Sequence, residues 1–338
     1  MFKEKGKRAL PFLFLDTSQL FARYFNYFSI MIFDIATFKI KIRCRRSALF
    51  HFPESFYKDF KNYRIIDHHR IDFSIAIVPY DDIPLSSKKL VRRQSHFYYE
   101  KKGLFIIKSR SATACVNAAA GKMTLGFKAP GPQRTSKTGA GKNNAVLMAF
   151  VRLAVSLCAV QKGGLPFHCS AIAFGDRGTA FSGPSGAGKS TIAKLLISSE
   201  SSSKTASSSK AASSSQTAQL LNDDFNIILP RGKNSYRIYS TPFTQPETLK
   251  KCVKGGAELR TIFFIEKGMT NIIENLSFKN RYILVLGQTF IFPLSDFIGR
   301  KILDNAERLC RNVECRRLRF KNDGSFRMFL DRYAKGAK

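Results

Sequence analysis

With 338 residues, 44% of them hydrophobic and 24% charged, the chain has the composition of a globular protein long enough for two domains. Its 56 Lys and Arg against 24 Asp and Glu leave a formal charge of +32, which suits an acidic partner, another anionic partner, or a heavily solvated basic surface. The cations are spread along the chain, and no zinc-finger spacing, RNP-type aromatic motif or heptad-bearing basic region accompanies them, so nucleic acid is a poor first choice of partner.

No membrane span is expected, because the uncharged run from Tyr24 to Phe33 is too short to cross a bilayer. Asp16, Arg23 and Asp34 interrupt the apolar runs near the start, so no secretory leader is expected either. The seven cysteines are odd in number and form no CxxC, and Cys310 and Cys315 have no second ligand pair. They read as buried free thiols. The expected location is cytoplasmic.

In chain order, residues 1–145 read as a β-rich N-terminal domain. Phe38, Ile40, Ile42 and Cys44 alternate with Lys39, Lys41, Arg43 and Arg45, the period of two of a half-buried strand with a basic outer face. Further strands are expected at Phe73–Val78, Leu104–Lys108 and Met123–Phe127. His68 and His69 have no third ligand at sensible spacing and read as surface residues.

Residues Ala129–Asn144 are rich in Gly, Pro, Lys, Ser and Thr, as in a linker. Within them, Gly139-Ala140-Gly141-Lys142 imitates the end of a phosphate-binding loop, but Ser136 stands where the first glycine belongs and Asn143 follows the lysine. Ala145–Val160 then reads as one apolar helix packed on a second, catalytic domain spanning 146–338.

That domain carries the chemistry. His168 opens an apolar strand, His168–Phe174, which the turn Gly175-Asp176-Arg177-Gly178 joins to a second strand, Thr179–Ser182. A hairpin of this kind sets His168 at the end away from the turn, beside the residues that come after Ser182. Those residues are Gly183-Pro184-Ser185-Gly186-Ala187-Gly188-Lys189-Ser190, a complete Walker A loop, with Thr191 next and Ile192, Leu195 and Leu196 at helical spacing beyond it. Its glycines let the backbone curl so that successive N–H groups face phosphate oxygens. Lys189 brings a cation to the outer phosphates, and the Ser190 hydroxyl can ligate Mg²⁺.

Residues 198–219 form a Ser/Ala/Lys tract that cannot bury enough apolar surface to order itself, and read as a disordered insertion. After it, Leu220-Leu221-Asn222-Asp223-Asp224 places two carboxylates at the end of an apolar strand. In a parallel sheet with the Walker strand beside it, that end opens on the phosphate site. One carboxylate would anchor the metal. The other would take a proton from an attacking hydroxyl; spacing alone does not separate the two roles.

The order of His168, strand, turn, strand, Walker A, helix and Asp223-Asp224 resembles the catalytic domain of HPr kinase/phosphorylase, and more closely the related proteins that lack that enzyme's own N-terminal domain. Tyr239-Ser240-Thr241-Pro242-Phe243, Thr261–Gly268 with its Glu266, Arg317-Leu318-Arg319-Phe320 and Asp323-Gly324-Ser325-Phe326 are similar to segments that recur in those relatives. The resemblance covers about 165–330. It implies an α/β (α+β overall) P-loop fold of the HPr kinase and phosphoenolpyruvate carboxykinase type, preceded here by the smaller β-rich domain.

It further implies ATP and Mg²⁺ as cofactors, a protein or peptide Ser/Thr hydroxyl as phospho-acceptor, and a homo-oligomer. By position, Gly183–Thr191 would bind the nucleotide, Ser190 and Asp223 the metal, and Asp224, Asp223, His168 and Lys189 would serve catalysis. Cys169 departs from the pattern, since a glycine follows the histidine in HPr kinases. The second signature of the bifunctional enzyme is missing as well, which speaks against phosphorolysis. The alternative is a P-loop switch or ATPase that binds an anionic partner such as nucleic acid. ABC-type ATPases and guanylate-kinase-like enzymes fit less well. The former need a Leu-Ser-Gly-Gly-Gln-like signature and the latter begin at the loop.

Overall fold

The computed structural model describes residues 28–45, 54–66, 70–83, 91–93, 96–98, 100–101, 104–109, 111–128, 138–198, 217–290 and 296–336. His68 and His69 lie outside the described residues, as do 129–137 and most of the Ser/Ala/Lys tract.

The described part of the first 128 residues builds a mostly antiparallel sheet. Its strands are β1 (Phe28–Ile35), β2 (Phe38–Arg45), β3 (Arg64–Ile65), β4 (Phe73–Pro79), β5 (Val91–Arg93), β6 (His96–Tyr98), β7 (Glu100–Lys101), β8 (Leu104–Lys108), β9 (Ala112–Asn117) and β10 (Lys122–Phe127). They run in the order β3-β1-β2-β4-β10-β9-β8-β6-β5, with β7 on β8. The alternation expected of β2 is present: Phe38, Ile40, Ile42 and Cys44 are buried, while Lys39, Lys41 and Arg43 are not. The short helix α1 (Glu54–Phe60) drops Phe56 and Phe60 onto Phe33, with ring centroids 5.7 and 4.9 Å apart.

Helix α2 (Thr138–Gln161) corrects the expected linker. It begins seven residues before Ala145 and takes in Gly139-Ala140-Gly141-Lys142, which is therefore helix and no phosphate loop. A glycine costs about 1 kcal/mol against alanine inside a helix. That is too little to stop one whose later turns bury Val151, Ala154, Val155, Cys158 and Ala159. The helix packs on β2 and β4, and equally on the second sheet.

The second sheet comprises β11 (Leu165–His168), β12 (Ser170–Phe174), β13 (Arg177–Ser182), β14 (Ala218–Asn222), β15 (Phe225–Arg231), β16 (Ser235–Tyr239), β17 (Gly256–Lys267), β18 (Ile272–Asn275) and β19 (Glu314–Phe320). Helix α3 (Lys189–Ser198) follows β13, and α4 (Pro246–Leu249) leads toward β17. Helices α5 (Phe278–Gln288) and α6 (Asp296–Asn312) sit between β18 and β19, and α7 (Ser325–Gly336) comes last. The order is β11-β15-β16-β17-β13-β12-β14, with β19 on β17 and β18 on β19. Mixed α/β architecture thus holds for the described chain.

Three sequence expectations change here. The single strand expected at His168–Phe174 is two strands broken at Cys169, because β11 pairs with β15 whereas β12 pairs with β13 and β14. The Asp-bearing strand β14 is not beside the Walker strand β13; β12 lies between them. A two-residue turn, Gly175-Asp176, folds β12 back against β13 and occupies that edge, while β17 runs parallel on the other. The low-complexity tract ends earlier than Gln219, since Ala218 is already buried in β14.

One large apolar cluster joins the first sheet, α2 and much of the second. A smaller one fastens α3 to the sheet through Ile192, Leu196, Phe263, Phe320 and Phe326. Among the described residues, no helix is long and apolar enough to cross a membrane.

Candidate functional site

The loop between β13 and α3 has the geometry that its glycines require. Gly186 and Gly188 have φ of +81° and +107°, conformations that a side chain disfavours. A Cβ on Gly188 would stand 2.5 Å from Cζ of Phe320, so the ring on β19 also needs a glycine there. Pro184, Ser185 and Gly186 are exposed at the rim, and Ala187, Gly188 and Thr191 are half-buried. The Lys189 head group is turned into the loop, donating to the carbonyls of Gly183 at 2.7 Å and Pro184 at 3.1 Å. Burial pushes its pKa down, against the upward pull of Asp224, Cys169 and Asp223.

Beside the loop stands His168. Its carbonyl accepts from the Ser182 hydroxyl at 2.6 Å, which ties the end of β11 to the end of β13. The imidazole is held below its ordinary pKa, first by burial and next by the Lys189 ammonium, with Asp224 pulling the other way. It is therefore neutral near pH 7.

The Asp223-Asp224 turn is shaped by Asn222, which is fully buried. Its Oδ1 accepts from the backbone N–H of Asp224 at 2.7 Å and of Phe225 at 3.0 Å, and its Nδ2 donates to the Thr241 carbonyl at 2.7 Å. This is an Asx turn locked from below, and it sends the two carboxylates in different directions. Asp223 faces the loop: Ser190 Oγ is 3.4 Å from its Oδ2, and Thr244 Oγ1 donates to its Oδ1 at 2.5 Å. Asp224 faces α2: Arg152 Nη2 donates to its Oδ2 at 2.9 Å, and His168 Nε2 lies 3.6 Å from its Oδ1, too far for a hydrogen bond.

The residues singled out in the sequence, Gly183–Thr191, His168, Asp223 and Asp224, are thus gathered at one end of the second sheet. The intervening β12 does not prevent this, because β12 and β14 are antiparallel and β14 ends level with the loop. Two further residues went unnoticed in the sequence. Arg152 left a trace there, as the one charged residue in the apolar run Ala145–Val160. Thr244 directly follows the Tyr239–Phe243 segment and left none.

The donor set at the loop fits a hard cation. The Ser190 hydroxyl and the Asp223 carboxylate are oxygen ligands, and Mg²⁺ is ordinarily held by one or two such groups together with nucleotide phosphates. Thr244 orients the carboxylate from behind, as outer-shell partners do. Among the described residues, no cluster of three or more His, Cys, Asp or Glu could hold a metal by itself. The positive φ of Gly186 and Gly188 gives the loop the curled backbone that a phosphate-binding loop needs.

No protein-family model matches the chain. No curated protein matches it either. Among solved structures, the Hpr(Ser) kinase/phosphatase from Coxiella burnetii is similar over 43% of this chain and 96% of its own, at 14% identity and a TM-score of 0.21. At that score the likeness carries no weight for fold or activity.

Proposed function

We propose that the chain is a Mg-ATP-dependent phosphotransferase of the HPr-kinase-like class, passing the γ-phosphate to a Ser or Thr hydroxyl of a protein or peptide. The observation that carries this reading is the divergence of the two adjacent carboxylates. Asp223 is committed to Ser190 and Thr244 on the loop side, and Asp224 is turned away from them. A metal ligand and a proton acceptor need that separation, because a carboxylate coordinated to a metal has fewer lone pairs to offer a proton, whereas Asp224 keeps Oδ1 outside its pairing with Arg152.

In this reading the backbone N–H groups of 183–191 hold the phosphates, and Lys189 exchanges its loop carbonyls for phosphate oxygens. Ser190 and Asp223 would hold Mg²⁺, which would neutralise part of the charge on the phosphates. Asp224 receives the acceptor's hydroxyl proton as that oxygen bonds to the γ-phosphorus and the β-phosphate leaves. Neutral His168 borders Asp224 and keeps a second cation away from it. Catalysis is then mainly positioning and charge stabilisation.

The test is transfer from γ-labelled ATP with Asp224→Asn and Asp223→Asn variants. Asp224→Asn is expected to bind ATP within about twofold of wild type and to lose at least 10²-fold in transfer, the size of a general-base contribution. Asp223→Asn is expected to raise the Mg²⁺ requirement. Unchanged transfer in both would refute the assignment.

A second reading, a nucleotide-dependent switch that binds an anionic partner, is favoured by the charge of +32. It requires ATP-dependent binding to that partner without label transfer. Binding to random DNA that merely disappears with salt supports neither reading over the other.

A further inference from the structure

We propose that Arg152 is a positioning residue for phosphoryl transfer, acting through Asp224; the assignment rests on the phosphotransferase reading. Arg152 projects from α2, an element outside the loop and outside both motif-bearing strands. Its guanidinium packs against three aromatic rings: the carbon lies 4.3 Å from the centroid of Phe225, 4.6 Å from that of Phe290 and 5.7 Å from that of Phe243. Phe225 and Phe243 pack edge-on at 5.4 Å, and Phe225 and Phe290 at 5.1 Å, so the rings brace one another.

Within this cage, Nε is buried and has no hydrogen-bond partner, and the polar contact of the guanidinium is Nη2 to Asp224 Oδ2 at 2.9 Å. An arginine placed for stability alone would be expected to satisfy Nε, because a buried donor left unpaired costs about 1–3 kcal/mol. Here that donor is sacrificed to hold one N–H group against one oxygen. The rings confine the cation, and cation–π attraction offsets part of the cost of the missing hydrogen bond.

The consequence falls on Asp224. Its backbone is set by Asn222, but that leaves the carboxylate free to rotate. With Oδ2 captured by Arg152, the remaining oxygen, Oδ1, is the one on the His168 side, 3.6 Å from Nε2. Arg152 thereby selects which oxygen of the base is presented. Arg152 has no hydrogen bond or ion pair to residues 183–191, so the effect is on transfer and not on nucleotide binding.

The experiment is a double-mutant cycle in the full chain, pairing Arg152→Met with Asp224→Asn. Methionine keeps an unbranched apolar stem among the rings while removing the charge and the donor. The probe is γ-labelled Mg-ATP under single-turnover conditions, with water and a randomised serine peptide pool as acceptors. A fluorescent ATP analogue reports nucleotide affinity separately.

Arg152→Met is expected to lower transfer 10–100-fold in the wild-type background and less than twofold in the Asp224→Asn background. Nucleotide affinity should stay within twofold in every variant. Arg152→Lys, which keeps the charge but loses the planar fork, should recover only part of the rate. Equal losses in both backgrounds would mean that the arginine acts on the fold at large and would overturn the proposal, as would full activity of Arg152→Met. Absence of transfer by the wild-type chain to either acceptor overturns the phosphotransferase reading itself, and this assignment with it.

Discussion

Two glycines in the loop lie two residues apart and should respond differently to the same substitution. Gly188 has φ +107°, outside the left-handed well that other residues tolerate, and its added Cβ would come within 2.5 Å of Phe320 Cζ and 3.0 Å of Cε1. Phe320 is 1% exposed and packs against Phe326 at 5.5 Å, so the ring has nowhere to go. Gly188→Ala therefore combines backbone strain of about 1–2 kcal/mol with overpacking of about 1–3 kcal/mol, for a loss of about 2–5 kcal/mol. Gly186, at φ +81°, has nothing within 4 Å of its added Cβ.

Gly186→Ala should cost the strain alone, about 1–2 kcal/mol, less about 0.4–1 kcal/mol recovered from a stiffer unfolded chain. The assay is urea unfolding of both variants beside wild type, with the slope checked for constancy. On the proposed function both should lose nucleotide affinity by tenfold or more, since the positive φ that alanine resists sets the curl of the backbone that would face the phosphates. If Gly188→Ala is no less stable than Gly186→Ala, the packing of Phe320 under the loop is wrong.

Two other perturbations concern buried groups. Asn222→Ala removes the acceptor for two backbone N–H groups and the donor to the Thr241 carbonyl in a fully buried position, and should destabilise by about 2–4 kcal/mol in urea unfolding while lowering transfer. Burial pushes the Cys44 thiol up to about 11 and the Cys158 thiol to about 12, so the folded chain holds these protons more tightly than the unfolded one. Their contribution to stability is complete below the ordinary thiol pKa of about 8.5 and is lost as pH rises through 11 to 12. Unfolding midpoints measured from pH 8 to pH 11 should therefore fall, and in native protein at pH 8 both thiols should resist a thiol-specific reagent that labels them at once in urea.

The legible parts of this protein were those written locally. The period-two run of β2 and the glycine spacing of 183–188 each state a backbone conformation within a few residues, and the structure forms both. The start of α2 was hidden because Gly139 and Gly141 look like linker residues, while the burial that offsets them lies a turn or more further on. The break at Cys169 was hidden as well. Nothing in an apolar run announces that its two halves will pair with different strands.

Local features, then, were determined by the sequence alone: a glycine-rich loop, a lysine at its base, a serine hydroxyl next to it, and a pair of adjacent carboxylates. Such features depend on residue type and spacing along one short stretch of chain. What each member faces was decided by the tertiary structure. Asp223 meets Ser190 and Thr244, whereas Asp224 meets an arginine from a helix 72 residues earlier, caged by rings from three separate segments. Two neighbouring aspartates are indistinguishable as letters. They differ only once a buried asparagine has turned the backbone between them and the packing of distant elements has given each its own partner.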